Sequence, residues 1–170
     1  MVTGVSTRPD AQAVAETVTD PELPMVTLAD LGVLREVSEV DGRVTVTITP
    51  TYTGCPAMDT MRDDLVHALT GAGFREVEVR TVLRPAWSTD WISAAGRRKL
   101  AEAGIAPPGA AQRRATGPIP LTLNAPVTRV RCPLCDSADT VEVSRFSGTA
   151  CKALRRCRSC AEPFEHVKEI

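Results

Sequence analysis

Apolar and polar positions alternate without a break over Arg43–Thr49, where Val44, Val46 and Ile48 face one way and Thr45, Thr47 and Thr49 the other. A period of two predicts a strand with one face on a core and the other polar. Leu34–Val40 precedes it across Asp41-Gly42, a dipeptide favoured in two-residue hairpins because both central positions accept positive φ, so the two strands pair antiparallel. The period then lengthens. Over Pro56–Thr70, Met58, Met61, Leu65 and Leu69 fall on one side of a helix that Gly71 and Gly73 end. Arg75–Leu83 returns to alternation through Val77, Val79, Thr81 and Leu83, a third strand. Upstream, Ala11, Val14, Ala15 and Val18 give Pro9–Thr19 helical spacing. The predicted unit is helix, strand, strand, helix, strand: a small α+β sandwich.

Between the first helix and the hairpin, DPELPMVTLADLG (Asp20–Gly32) carries Pro21, Pro24 and Gly32 and predicts a loop with a turn of helix at Leu28–Leu31; Asp20, Glu22 and Asp30 are its acids. Beyond the third strand, WSTDWISAAGRRKLAEAG predicts a surface helix capped by Ser88 or Thr89, stopped by Gly104, and leaning through Trp87 and Trp91 on a core or a partner. Residues 105–126 hold Pro107, Pro108, Pro118, Pro120 and Pro126 and predict an extended, loosely packed linker. Three segments result: 1–104, 105–126 and 127–170.

Charge follows the same division. Residues 1–86 carry thirteen acids against seven bases, 87–126 two against five, and 127–170 six against eight. The asymmetry fits two modules. It disfavours a nucleic-acid binder, which shows a denser basic face and more stacking aromatics than the 4% here. No apolar run approaches the ~20 residues of a membrane span, and MVTGVSTRPDAQAV has neither the basic start nor the apolar core of a signal peptide. The expected location is the cytoplasm. That compartment is reducing, so the six cysteines are read as metal ligands or reactive thiols rather than as disulfides.

The last segment gives the sharpest signal. CPLC and CRSC place Cys132 with Cys135 and Cys157 with Cys160, with twenty-one residues between the pairs. Each pair can aim two thiolates at one ion from a tight turn, and two turns complete a tetrahedral site of the zinc ribbon type. Strands at Thr140–Phe146 and Phe164–Lys168 would carry the turns. An iron-sulfur cluster could use the same ligands, but zinc is the better match. His166 is read as a strand residue facing water. Cys151 is unpaired by spacing and is either a small buried apolar residue or a thiol with a supporting or redox role.

Cys55 sits at the corner of TPTYTGCPAM, before Pro56, at the N-cap or first turn of the second helix, where amide donors and the helix dipole favour thiolate. A reactive or metal-seeking sulfur competes here with a cysteine that simply caps the helix and packs on Tyr52. Cysteine hydrolase chemistry has no partner: His67 lies twelve residues on, three turns down the same helix.

DPELPMVTLADLG, a hairpin and then TPTYTGCPAM resemble the small domain of the SufT-like iron-sulfur assembly family, which includes the cytosolic targeting component of eukaryotic cluster assembly. With PAWSTDWIS, CPLC, SGTACKAL, CRSC and EPFEHVK added, residues 10–170 resemble the PaaD (PaaJ) family of bacterial phenylacetate degradation. In that pathway a multicomponent oxygenase epoxidises the ring of phenylacetyl-CoA, with a di-iron subunit and a reductase carrying flavin and an iron-sulfur cluster. The resemblance implies a non-enzymatic accessory factor that matures or metallates those subunits. It implies Cys55 as the functional thiol for transient iron or an iron-sulfur cluster, Asp20 and Glu22 in the loop facing it, and epoxidase subunits as partners. Zinc in the ribbon, one per chain, is expected from the cysteine spacing; a homodimer stays open. From the residues alone, Asp20 and Glu22 read equally well as capping and turn formers. The chain has no Gly-rich dinucleotide fingerprint, flavin motif or paired Glu-x-x-His helices, so it cannot run the oxygenation by itself. A structural or regulatory oxygenase subunit and a zinc ribbon nucleic-acid binder are the alternative readings.

Overall fold

The computed structural model describes residues 9–52, 54–110 and 129–169. These form two compact units, one of residues up to 87 together with 91–96, the other of 88–90 and those from 97 on.

The first unit begins with α1 (Ala11–Ala15), shorter than its apolar spacing predicts and capped by Asp10, whose carboxylate accepts from the Ala13 amide at 3.3 Å. β1 (Leu34–Val40) and β2 (Arg43–Ile48) are antiparallel across Asp41 and Gly42, at φ 52° and 80°. α2 (Met58–Gly71) then carries the chain over to β3 (Glu76–Thr81), which pairs with β2 in parallel, the pairing that requires such a crossover. The sheet order is β1-β2-β3. Val44, Val46 and Ile48 are fully buried, as are Leu65 and Leu69 of α2, with Met61 and Phe74 nearly so. At about 1.5–3 kcal/mol per buried side chain, this set supplies much of what holds the unit together.

The Asp20–Gly32 loop is built from its own polar groups. Thr27 and Asp30 exchange bonds, Asp30 N to Thr27 Oγ1 at 3.0 Å and Thr27 N to Asp30 Oδ2 at 3.1 Å, and this closes the turn at Leu28–Leu31. Trp87 is core: it is 5% exposed and its Nε1 donates to the Leu31 carbonyl at 2.9 Å. Trp91 is half-buried under the Arg35 guanidinium, 3.7 Å from the ring centroid. Gly32 makes that approach feasible. Its φ is 68°, and a Cβ there would lie 2.6 Å from that of Trp91. The surface helix expected from Trp87 onward is broken into a 3₁₀ turn, Thr89–Trp91, and α3 (Ala94–Glu102). Ser88 caps only the 3₁₀ turn, where its Oγ accepts from the Asp90 amide at 3.3 Å; α3 has its own cap, Ser93, whose Oγ accepts from the Gly96 amide at 2.9 Å.

The second unit holds a four-stranded sheet, β4-β7-β6-β5, of β4 (Ile105–Ala106), β5 (Thr140–Ser144), β6 (Lys152–Cys157) and β7 (Pro163–Val167). Three expectations change here. The linker does not begin at 105, because Ile105 and Ala106 are buried and pair in parallel with Glu165 and His166 of β7; residues 111–126 lie outside the described set. β6 had no place among the expected strands. It runs between β5 and β7, antiparallel to both, and includes the basic run Arg155-Arg156. The small core is Ala106, Val130, Cys132, Cys157 and Phe164, with Cys160 against it. Beside it the buried Lys152 meets Glu165 at 2.7 Å, and Ser147 Oγ donates to the same carboxylate. His166 does not face water: it is 2% exposed, with Nε2 3.5 Å from Glu169 Oε1. Its ring belongs to the inner face of β7, whereas the polar sequence around it read as outer.

Candidate metal centre and the Cys55 corner

Cys132 and Cys135 stand in a turn ahead of β5, and Cys157 and Cys160 in the turn from β6 to β7. The two turns are built alike. Residues just after the second cysteine, Asp136 and Ala161, are left-handed at φ 57° and 65°. The amide of each first cysteine donates five residues ahead, Cys132 N to Ser137 O at 2.9 Å and Cys157 N to Glu162 O at 3.0 Å. The arginine before each first cysteine braces the left-handed residue, Arg131 Nη1 to Asp136 O at 2.7 Å and Arg156 Nε to Ala161 O at 3.1 Å. The hydroxyls of Ser137 and Ser159 join the turns at 2.7 Å. These bracing groups escaped the sequence reading, although an Arg-Cys-x-x-Cys pattern occurring twice was the signal for them.

The result is a nest of four sulfurs, all within 4.8 Å of one another. Cys135 Sγ lies 3.5 Å from that of Cys157, and Cys132 Sγ 3.8 Å from that of Cys160. A tetrahedron with metal–sulfur bonds of about 2.3 Å has edges of about 3.8 Å, so the spacing fits a single thiolate-loving ion and leaves no room for a multi-iron cluster. As bare thiols Cys135, Cys157 and Cys160 do not ionise together. The Ser137 amide favours the Cys135 thiolate, yet the hydrogen bond with Cys157, burial and the other two thiols push Cys135 up to about 12. The Cys160 amide does the opposite for Cys157, and with the Ser159 amide brings it down to about 6 despite burial. A divalent cation would relieve this conflict, which is the electrostatic case for a metal centre. Among the described residues, this is the group of three or more His, Cys, Asp or Glu side chains that converges to ligating distance.

Cys55 is placed elsewhere, in the first unit, and is 8% exposed. It is not the N-cap. That position is Ala57, which makes no side-chain capping bond, and Cys55 stands two residues earlier in a turn of its own. Its amide donates to Tyr52 O and its carbonyl accepts from Met58 N, both at 3.3 Å, while Gly54 before it has φ 88°. Asp20, 4% exposed, spends one carboxylate oxygen on the amides of Glu22 at 2.9 Å and Leu23 at 2.8 Å, so it shapes the loop through an Asx-type turn. Glu22 is half-buried beside it. Cys151, half-exposed at the start of β6, has Thr149 Oγ1 3.1 Å from its sulfur.

Comparison with known proteins follows the two units. Residues 10–81 match the family described as iron-sulfur cluster assembly protein, and 117–168 the PaaD zinc beta ribbon domain. The chain is 41% identical over 158 residues, 93% of its length and 90% of the relative's, to a protein of Escherichia coli (strain K12) whose name makes it one of the subunits of a "Putative 1,2-phenylacetyl-CoA epoxidase". It is 35% identical over 91 residues, 52% of its length and 86% of the relative's, to an Fe-S protein maturation auxiliary factor of Porphyromonas gingivalis. A crystal structure of a domain of unknown function, DUF59, from Bacillus anthracis matches at TM-score 0.50 and 30% identity, over 53% of this chain and 87% of that one. The α+β unit, the four-cysteine nest and an alignment running through both units lead to one statement: the chain belongs to the PaaD family, in which an iron-sulfur assembly domain is joined to a zinc β-ribbon.

Proposed function

We propose that this protein is an accessory factor of a 1,2-phenylacetyl-CoA epoxidase system, acting in the cytoplasm to mature the iron or iron-sulfur centres of the oxygenase rather than to catalyse the ring oxidation. The single observation that carries the reading is the pairing, in one chain, of an assembly-type unit with a ribbon unit, at 41% identity to a protein named as an epoxidase subunit. In this reading Cys132, Cys135, Cys157 and Cys160 hold one structural zinc per chain, closed to substrate because all four positions are protein sulfur.

Cys55 is the thiol that handles cargo, with Asp20 and Glu22 supporting its loop. Its burial supports a guarded sulfur: iron or a cluster would reach it only when the Gly54-Cys55-Pro56 corner opens. Iron here is cargo, passed on to a client.

A structural or regulatory subunit is the second reading, favoured by the relative's printed name. One experiment separates the two. Epoxidase subunits are purified from cells with and without this protein, freed of it, and assayed for iron content and ring epoxidation. Subunits from cells that had it should stay active after its removal, and those from cells that lacked it should be folded but iron-poor. Turnover that vanishes on removal and returns when the protein is added back, with iron unchanged, would establish a working subunit instead.

A further inference from the structure

Trp87 and Trp91–Gly96 fall between the two matched stretches and belong to the first unit. There they grip the far end of the Asp20–Gly32 loop. Ser93 takes hold of Asp30 twice: its amide donates to the Asp30 carbonyl at 2.8 Å and its hydroxyl to Asp30 Oδ1 at 3.2 Å. Two contacts beside it are backbone against backbone. A Cβ on Gly96 would lie 2.8 Å from the Asp30 carbonyl oxygen, and one on Gly32 would lie 2.7 Å from that of Trp91, so neither contact has room for a side chain. With the Trp87 Nε1 bond to the Leu31 carbonyl, three consecutive residues, Asp30, Leu31 and Gly32, are held from outside the loop.

The grip is passed on. Asp30 gives its other oxygen, Oδ2, to the Thr27 amide, and Thr27 forms a β-bridge to Thr19 across the loop. Beside that bridge the Asp20 amide donates to the Val26 carbonyl, and the Val26 amide to the Leu23 carbonyl, both at 3.0 Å. Asp20 in turn accepts from the Glu22 and Leu23 amides. A run of hydrogen bonds therefore leads from the Ser93 hydroxyl, through a carboxylate bonded on both oxygens, to the turn that carries Asp20 and Glu22.

We infer that Ser93 is a positioning residue for the cargo site: through Asp30 and Thr27 it holds the Asp20–Glu22 turn in its working shape before iron or a cluster arrives. The inference rests on the maturation reading for what the turn does, and on the bonds above for how it is held. A site ordered in advance loses less conformational entropy when it takes its cargo, so loosening the turn weakens capture without touching Cys55.

The test compares wild type, Ser93→Ala, Ser93→Thr and Trp87→Phe in the metal-loaded full chain, by amide exchange and by the iron content of epoxidase subunits made alongside each. Ser93→Ala should speed exchange at the Glu22 and Leu23 amides about tenfold, the effect of losing one hydrogen bond to a charged group, and leave β2 and α2 protected as before. Subunit iron should fall towards that of cells without the protein. Ser93→Thr keeps the hydroxyl and should restore both. Because Ser93 also caps α3, Trp87→Phe provides a change that spares the cap; it loses the bond to Leu31 and should shift both readouts in the same direction. Wild-type exchange at Glu22 and Leu23 in Ser93→Ala overturns the inference, as does a loss of protection spread evenly over β2 and α2, or a threonine that fails to restore the readouts. Faster exchange with subunit iron unchanged overturns it too, since the turn would then be architecture alone. A wild type that adds no iron to the subunits would instead sink the maturation reading, and the exchange arm would still judge the brace.

Discussion

Cys55→Ala removes a sulfur that the backbone bonds of its corner do not use, and the lost packing should cost about 1 kcal/mol. The melting curve should move little, while the iron content of epoxidase subunits made with the variant should fall to that of cells without the protein. Asp20 behaves differently. Asp20→Ala leaves the amides of Glu22 and Leu23 without their acceptor and should destabilise the first unit by about 2–4 kcal/mol in denaturant unfolding. Asp20→Asn keeps an acceptor oxygen and should recover most of that loss; if maturation stays impaired while stability returns, the negative charge itself is used. Composition and spacing identified the four sulfurs and the odd thiol. They misplaced Cys55 by two positions from the helix cap because Pro56 is a familiar opening residue and nothing local announced the extra turn through Ala57. They put His166 in water because a strand's inner face is set by neighbours distant in sequence.

The period-two run of β2 and the longer period of α2 were legible because each buries one face on the same core. β6 was not, since Lys152-Ala-Leu-Arg-Arg-Cys157 buries a lysine and an arginine whose partners, Glu165 and Glu142, lie on neighbouring strands. That buried pairing has a pH signature. Burial works against the Glu165 carboxylate, but Lys152, Ser147 and the Gly148 amide hold it below its ordinary value. A carboxyl depressed on folding contributes its stability above the unfolded value, near 4.5, and loses it as pH falls further. Acid unfolding of the ribbon should therefore steepen below that pH, and Glu165→Gln should lessen the steepening while lowering stability at neutral pH by about 1–3 kcal/mol; Glu169, held down to about 2 against burial by His166 and the Gly109 amide, supplies the remainder. Cys132→Ser removes one of four ligands from a core of five buried residues, two of them cysteines. Metal content should drop and the amides of β5, β6 and β7 should exchange far faster.

At the scale of the whole chain, each unit has an apolar core of its own, and the small core of the second is joined by a nest of four sulfurs that could hold a metal ion. A strong chelator should expose the amides of the ribbon sheet and leave those of β2 and α2 protected, a division that hydrogen exchange reads directly. The pairing of β4 with β7 also changes what the proline-rich stretch is. Ala106 on its upstream side pairs in the ribbon sheet and Val130 on its downstream side lies in the core of the same unit, so both of its described flanks belong to the ribbon. Lengthening it with glycine and serine should cost only the slowly growing entropy of ring closure, about 0.6 kcal/mol for each doubling. A fragment cut to begin at residue 127, by contrast, would leave the outer side of β7 unpaired and ready to recruit a foreign strand.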